Sequence, residues 1–114
     1  MRKATAQLPA AVKVGYKTYR IVEMSDVESD QHRASGQTMH ILGRMTINLG
    51  MGTREAAETL LHEIMHAVWS IWKMPHKDIE EEPAVSSLAA GLATVWRDNP
   101  EVLAWIGRNL VRGT

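Results

Sequence analysis

Leu60-Leu61-His62-Glu63-Ile64-Met65-His66-Ala67-Val68 lies in the middle of a long helical pattern, and its reading organises the whole chain. On an α-helix, residues four apart share a face, one above the other. His62 and His66 therefore reach toward a single tetrahedral metal ion through their imidazoles. Glu63 lies about 100° round the helix from His62, where its carboxylate leans over the open coordination position. Zinc lowers the pKa of a bound water to about 7, so a carboxylate placed there serves as a general base. The five His and nine Glu of this chain, scattered at random, give an H-E-x-x-H spacing in about one case in sixty. The competing reading makes both histidines satisfied core residues. Two His and one Glu on an otherwise apolar helix are costly to bury without a use, and that favours the metal.

The flanks carry helix signals. Thr53 reads as the N-cap, Glu55 and Glu58 suit the positive end of the dipole, and apolar residues recur through Trp72. Met74-Pro75 marks the expected stop. Leu60, Leu61, Ile64, Met65, Val68, Trp69, Ile71 and Trp72 cover most of the circumference, so this helix is expected in the centre of the core. Such a rigid element is what a metal site requires. Met65, Trp69 and Trp72 read as packing residues rather than cofactor contacts.

Working outward, residues 1–52 carry strand signals. Val12-Lys13-Val14 and Thr18 to Glu23 flank Gly15 and predict a tight hairpin. Residues 24–37 are polar and read as a loop. Thr38 to Ile41 and Arg44 to Leu49 predict a second hairpin around Leu42-Gly43, and Gly50 and Gly52 lead into the helix. Beyond it, a helix from Glu80 to Arg97 is predicted with Val85, Leu88, Ala89, Leu92, Val95 and Trp96 on one face. Asn99-Pro100 opens a last helix with Val102, Leu103, Ile106 and Leu110. The expected architecture is one α+β domain over residues 1–114. A short antiparallel sheet of two hairpins packs on three helices, with the His helix central.

Composition narrows the partners. Thirteen basic and thirteen acidic side chains cancel. A neutral chain without a basic stripe makes no electrostatic case for nucleic acid or an anionic membrane, and Arg108 and Arg112 are too few to change this. No apolar run reaches the length of a membrane span, and no apolar h-region follows Met1-Arg2-Lys3. Cysteine is absent, so a zinc site here must use His, carboxylate and water. A reducing cytoplasm is the expected location.

Two histidines leave a third protein ligand to find. Glu80-Glu81-Glu82 opens the next helix, and a short turn over Lys73 to Lys77 would fold that helix back on the first. An acidic first turn also simply complements the helix dipole. Phase does not choose among the three: Glu81 is nearest the centre of the apolar face, Glu82 at its edge.

His62-Glu63-x-x-His66 followed by a glutamate on the next helix resembles the gluzincin branch of zinc metallopeptidases. The order of hairpins and helices resembles the small metallopeptidase-like proteins of phages and prophages, related to the ImmA/IrrE group. The resemblance covers residues 36–111, with Glu81-Glu82-Pro83-Ala84-Val85-Ser86-Ser87-Leu88-Ala89 similar to the glutamate-bearing helix. It implies a minimal zincin fold, zinc on His62 and His66, Glu63 as general base, and Glu82 as third ligand with Glu81 the runner-up. Ala84 and Ser86 stand where the family pattern has an apolar and a polar residue, and Pro83 departs from it. The implied activity is hydrolysis of a peptide or protein substrate. With no large second lobe the cleft is expected to be shallow, and a protein partner would complete it. The alternative is a non-catalytic regulatory module that keeps zinc as a staple.

Other polar residues carry weaker signals. His40 falls in a strand similar to the substrate-aligning edge strand of zincins. Tyr16 and Tyr19 are candidates for an oxyanion hydrogen bond, although a strand tyrosine more often packs. His32 and His76 read as loop residues.

Overall fold

Alternating burial builds the first hairpin of the computed structural model, which describes residues 8–25, 35–73 and 80–112. Strand β1 (Ala11–Val14) pairs antiparallel with β2 (Lys17–Met24), with Val12 opposite Tyr19. Val12, Val14, Tyr19, Ile21 and Met24 are buried, while Lys13, Thr18, Arg20 and Glu23 face out. The second hairpin joins β3 (Gly36–Met39) to β4 (Arg44–Asn48). Its strand ends at Met39, two residues before the expected Ile41. His40 to Gly43 form the turn instead: the Gly43 N–H donates to the His40 carbonyl at 3.2 Å, and Gly43 takes a positive φ of 65°, which glycine adopts at little cost.

The two hairpins do not make an all-antiparallel sheet. Strand order is β1-β2-β4-β3, and β2 runs parallel to β4, so the sheet is mixed. Burial accounts for the exchange of places. Met45, Thr46, Ile47 and Asn48 are all buried, whereas Gly36 to Met39 are only half-buried. The more buried strand takes the interior position with two neighbours, and the less buried one takes the edge. β2 ends beside Asn48 and β3 starts beside Ile47, at the same end of the sheet. The gap between them is two strand spacings, about 10 Å, and β4 occupies it.

Helix α1 (Thr53–Ile71) packs against both this sheet and the last helix of the chain, burying Ala56, Ala57, Leu60, Ile64, Ala67 and Val68. The residue before it is Gly52 at φ 112°, so the expected N-cap, Thr53, is the first helical residue and makes no cap hydrogen bond. The Asn48 side chain accepts from Gly50 N–H at 2.8 Å and caps the preceding 3-10 turn Leu49–Met51. The helix ends at Ile71, ahead of the expected Met74-Pro75, and Lys73 at φ 53° turns the chain away. Nor is α1 buried all round, since His62 and His66 are exposed.

Helix α2 (Glu81–Asp98) packs through part of the expected face, with Val95 buried and Leu88 and Leu92 against the core. Val85 and Trp96 are 51% and 59% exposed, while Gly91 and Val95 are buried. A Cβ on Gly91 would stand 2.7 Å from Val68 Cγ1, so the missing side chain rotates the contact toward this stripe. Helix α3 (Pro100–Arg112) buries Val102, Trp105, Ile106 and Asn109. Among the described residues no helix is long and apolar enough to cross a membrane. His32, His76 and the turn over 74–77 lie outside the described residues.

Asn99, at the α2–α3 junction, fixes the helices to the sheet. Its Oδ1 accepts from Lys13 N–H at 2.7 Å. Its Nδ2 donates to the Lys13 and Val95 carbonyls at 2.7 and 2.9 Å. Among the described residues β1 is an edge strand, and this buried side chain satisfies the Lys13 N–H and carbonyl on its open side. Asn99→Ala leaves those groups without partners and is expected to cost about 1–3 kcal/mol. Urea denaturation measures it, and an unchanged midpoint would show that water replaces the amide.

Candidate metal centre

One exposed turn of α1 carries the imidazole pair. The Nε2 atoms of His62 and His66 face each other at 3.0 Å, with ring centroids 4.7 Å apart and planes 76° from parallel. A tetrahedral ion with Zn–N of about 2.0–2.1 Å sets two ligand nitrogens about 3.3 Å apart. The pair stands close to that spacing, with the two nitrogens aimed at the same space. Two neutral imidazoles with open positions around them suit zinc by donor type as well as by geometry.

Glu63 sits under the pair on the inner side of the helix. It is only 5% exposed, and a buried carboxylate requires hydrogen-bond donors. Thr38 on β3 supplies one: its Oγ1 donates to Glu63 Oε1 at 2.5 Å and also lies 3.3 Å from the Glu63 carbonyl. Gly36 makes room for this approach. A Cβ there would stand 2.6 Å from Thr59 Cγ2, 3.1 Å from the Thr46 carbonyl and 3.2 Å from Glu63 Oε2.

Two open clefts meet at this carboxylate. One, of about 330 Å³, is walled by Gly36, Gln37, Thr38 and His40 on one side and His62, Glu63 and His66 on the other. The second, of about 450 Å³, continues along α1 past Glu55, Glu58 and Thr59 to Met51 and Ser35. Glu63 and His62 line both. β3 borders the first cleft and, among the described residues, is an edge strand paired on one side only, with β4. Thr38 and Gly36 carry no motif in the sequence. A glycine inside a strand does mark close backbone approach, and that signal was available at Gly36.

The acidic run is not brought to the pair. Glu80, Glu81 and Glu82 are exposed at the start of α2, and Glu82 Oε1 accepts from Ser86 Oγ at 3.5 Å. Among the described residues no third His, Asp or Glu joins His62 and His66 in a metal-holding group. Helix packing explains the separation. α2 meets α1 through Gly91 against Val68 and Trp72, and Glu82 lies nine residues before Gly91, about 13 Å along the helix axis. Of the remaining candidates, Tyr16 is exposed in the first hairpin turn. Tyr19 is buried, with its hydroxyl 3.0 Å from His40 Nδ1.

Comparison with family models, curated proteins and solved structures gives no match, so the site is read from its own geometry.

Gly36→Ala tests the contact between strand and helix. Alanine gains about 0.5–1 kcal/mol of conformational entropy over glycine. Overpacking against the stiff Thr59 side chain and the Thr46 backbone costs about 1–3 kcal/mol. The expected net effect is destabilisation, read as a lower urea midpoint. A more stable variant would mean that β3 moves off α1 freely.

Proposed function

We propose that the chain is a zinc-dependent peptide hydrolase whose site is the cleft between α1 and β3. One observation carries the reading: the convergent His62–His66 pair shares its cleft with the buried carboxylate of Glu63. A structural metal site has no use for a free carboxylate beside its ligands, whereas hydrolysis needs a base there. His62 and His66 would hold the ion. Zinc supplies Lewis acidity, acidifying water and polarising a carbonyl. The resemblance alone names Glu82 as third ligand, and among the described residues it does not join the pair.

The chain's own residues account for the remaining chemistry. Glu63 accepts a proton from the attacking water as the oxygen bonds to the carbonyl carbon. It returns that proton to the amine as the C–N bond breaks. Thr38 holds the carboxylate in place, occupying Oε1. The unpaired edge of β3 offers backbone donors and acceptors to an extended peptide, which would add as a further strand. Such a strand lies beside the His pair because Gly36 to Thr38 form the opposite wall of the same cleft. Both clefts are open to solvent, so a partner protein that deepens them fits this arrangement.

Elemental analysis of untagged protein tests the metal first. Wild type is expected to hold about one zinc per chain, and His62→Ala and His66→Ala to lose it. Equal zinc in all three would end the proposal. Glu82→Gln is expected to lower zinc affinity and Glu80→Gln to leave it unchanged, because a neutral amide is a poor ligand. If Glu81→Gln is the damaging change, the third ligand moves by one residue.

Glu63→Gln separates an enzyme from a zinc staple. It is expected to keep zinc and fold while hydrolysis of a randomised peptide library, read by mass spectrometry, falls about 10²–10⁴-fold. Zinc lost with Glu63 would mark it as a ligand of a structural site, and undiminished hydrolysis would exclude it as the base.

A further inference from the structure

The hydrogen bond between Tyr19 and His40 fixes more than a ring orientation. The Tyr19 side chain is fully buried, so water does not take its hydroxyl proton. Among the described residues the one acceptor in reach is His40 Nδ1, at 3.0 Å. An unused buried donor costs about 1–3 kcal/mol, so the phenol donates and Nδ1 accepts. Burial also pushes the Tyr19 phenol above its ordinary pKa, with a smaller contribution from Tyr16, and the donor proton stays in place. A neutral imidazole that accepts at Nδ1 carries its own proton on Nε2. The rings meet edge to face, 6.0 Å apart and 80° from parallel, so Tyr19 holds His40 by one edge and leaves the other free.

His40 follows directly on β3 and lines the same cleft as His62, Glu63 and His66. Among the described residues its Nε2–H has no protein partner. A neutral N–H donor at the end of an edge strand, across from a metal pair and a base, is placed for one task. We propose that His40, locked as the Nε2–H tautomer by Tyr19, donates a hydrogen bond to the carbonyl oxygen of a peptide lying along β3, and holds that oxygen as charge develops on it. Tyr19 is then a positioning residue that acts through His40. The role rests on the hydrolytic reading of the cleft, but the tautomer does not. Preorganised donors of this kind act where charge appears, and removing one costs about 10²–10³ in kcat.

Two measurements test the proposal. Long-range ¹H–¹⁵N correlations of the histidine rings, recorded on metal-free protein, are expected to show His40 protonated at Nε2 and bare at Nδ1, with Tyr19→Phe mixing the two tautomers. A proton on Nδ1 in wild type overturns the proposal whatever the zinc analysis gives. On the randomised peptide library, zinc-loaded His40→Ala is expected to lose about 10²–10³ in kcat with KM and zinc content little changed. His40→Gln, whose amide also donates, is expected to recover part of the loss, and Tyr19→Phe to fall between His40→Ala and wild type. Hydrolysis by His40→Ala at the wild-type rate overturns the donor role. Wild-type protein that cleaves nothing overturns it too, and its zinc content then decides separately whether the metal assignment survives.

Discussion

A buried carboxylate ties this structure together. Glu63 lies on the sheet side of α1 with almost no solvent contact, and an unpaired carboxylate there would cost several kcal/mol. The Thr38 hydroxyl offsets part of that cost, but only if β3 approaches α1 closely. Close approach requires glycine at position 36, where a Cβ would overlap Thr59. One hydrogen bond and one missing side chain thus set the distance between the two walls of the cleft. The His pair, which follows from helix geometry alone, gains a defined opposite wall through this contact.

The helical part of the architecture was largely legible in the sequence. H-E-x-x-H spacing placed His62 and His66 on one face, and the structure brings their Nε2 atoms together. Helix periodicity found three helices near their observed limits, because 3.6-residue repeats of apolar residues report burial directly. Sheet order was less accessible. Each hairpin is local and carries its own turn signals, but the parallel β2–β4 pair joins residues more than twenty positions apart. No local pattern encodes which hairpin strand moves inside. Of the α2 face, Leu88, Leu92 and Val95 were read correctly and Val85 and Trp96 were not. Val85 and Trp96 share an apolar face in the helical wheel, yet Gly91 offers a closer approach to Val68, and packing follows shape before hydrophobicity.

The site divides the same way. Residues read from the motif occupy consecutive turns of one helix, where spacing fixes geometry. Thr38, Gly36 and the Tyr19–His40 pair act across elements, and a single sequence does not show which strand residue will face which helix residue. Glu82 illustrates the limit from the other side. Its assignment assumed that α2 folds back with its first turn over the His pair. The contact instead lies at Gly91, against the C-terminal half of α1, so helix order alone did not determine proximity.

This division assigns the chemistry between two elements. On the proposed reading α1 contributes the ligands and the base, whose relative positions are set by a rigid helix packed on Leu60, Ile64, Ala67 and Val68. On the same reading β3 and its turn contribute what would face the substrate: a backbone edge without a strand partner among the described residues, the hydroxyl on Glu63 and the imidazole of His40. On that reading substrate alignment falls to an edge strand whose free hydrogen-bonding groups would otherwise invite non-specific pairing. The same exposed edge that is a liability in a small sheet would then, next to a convergent histidine pair and a held carboxylate, present a peptide to them.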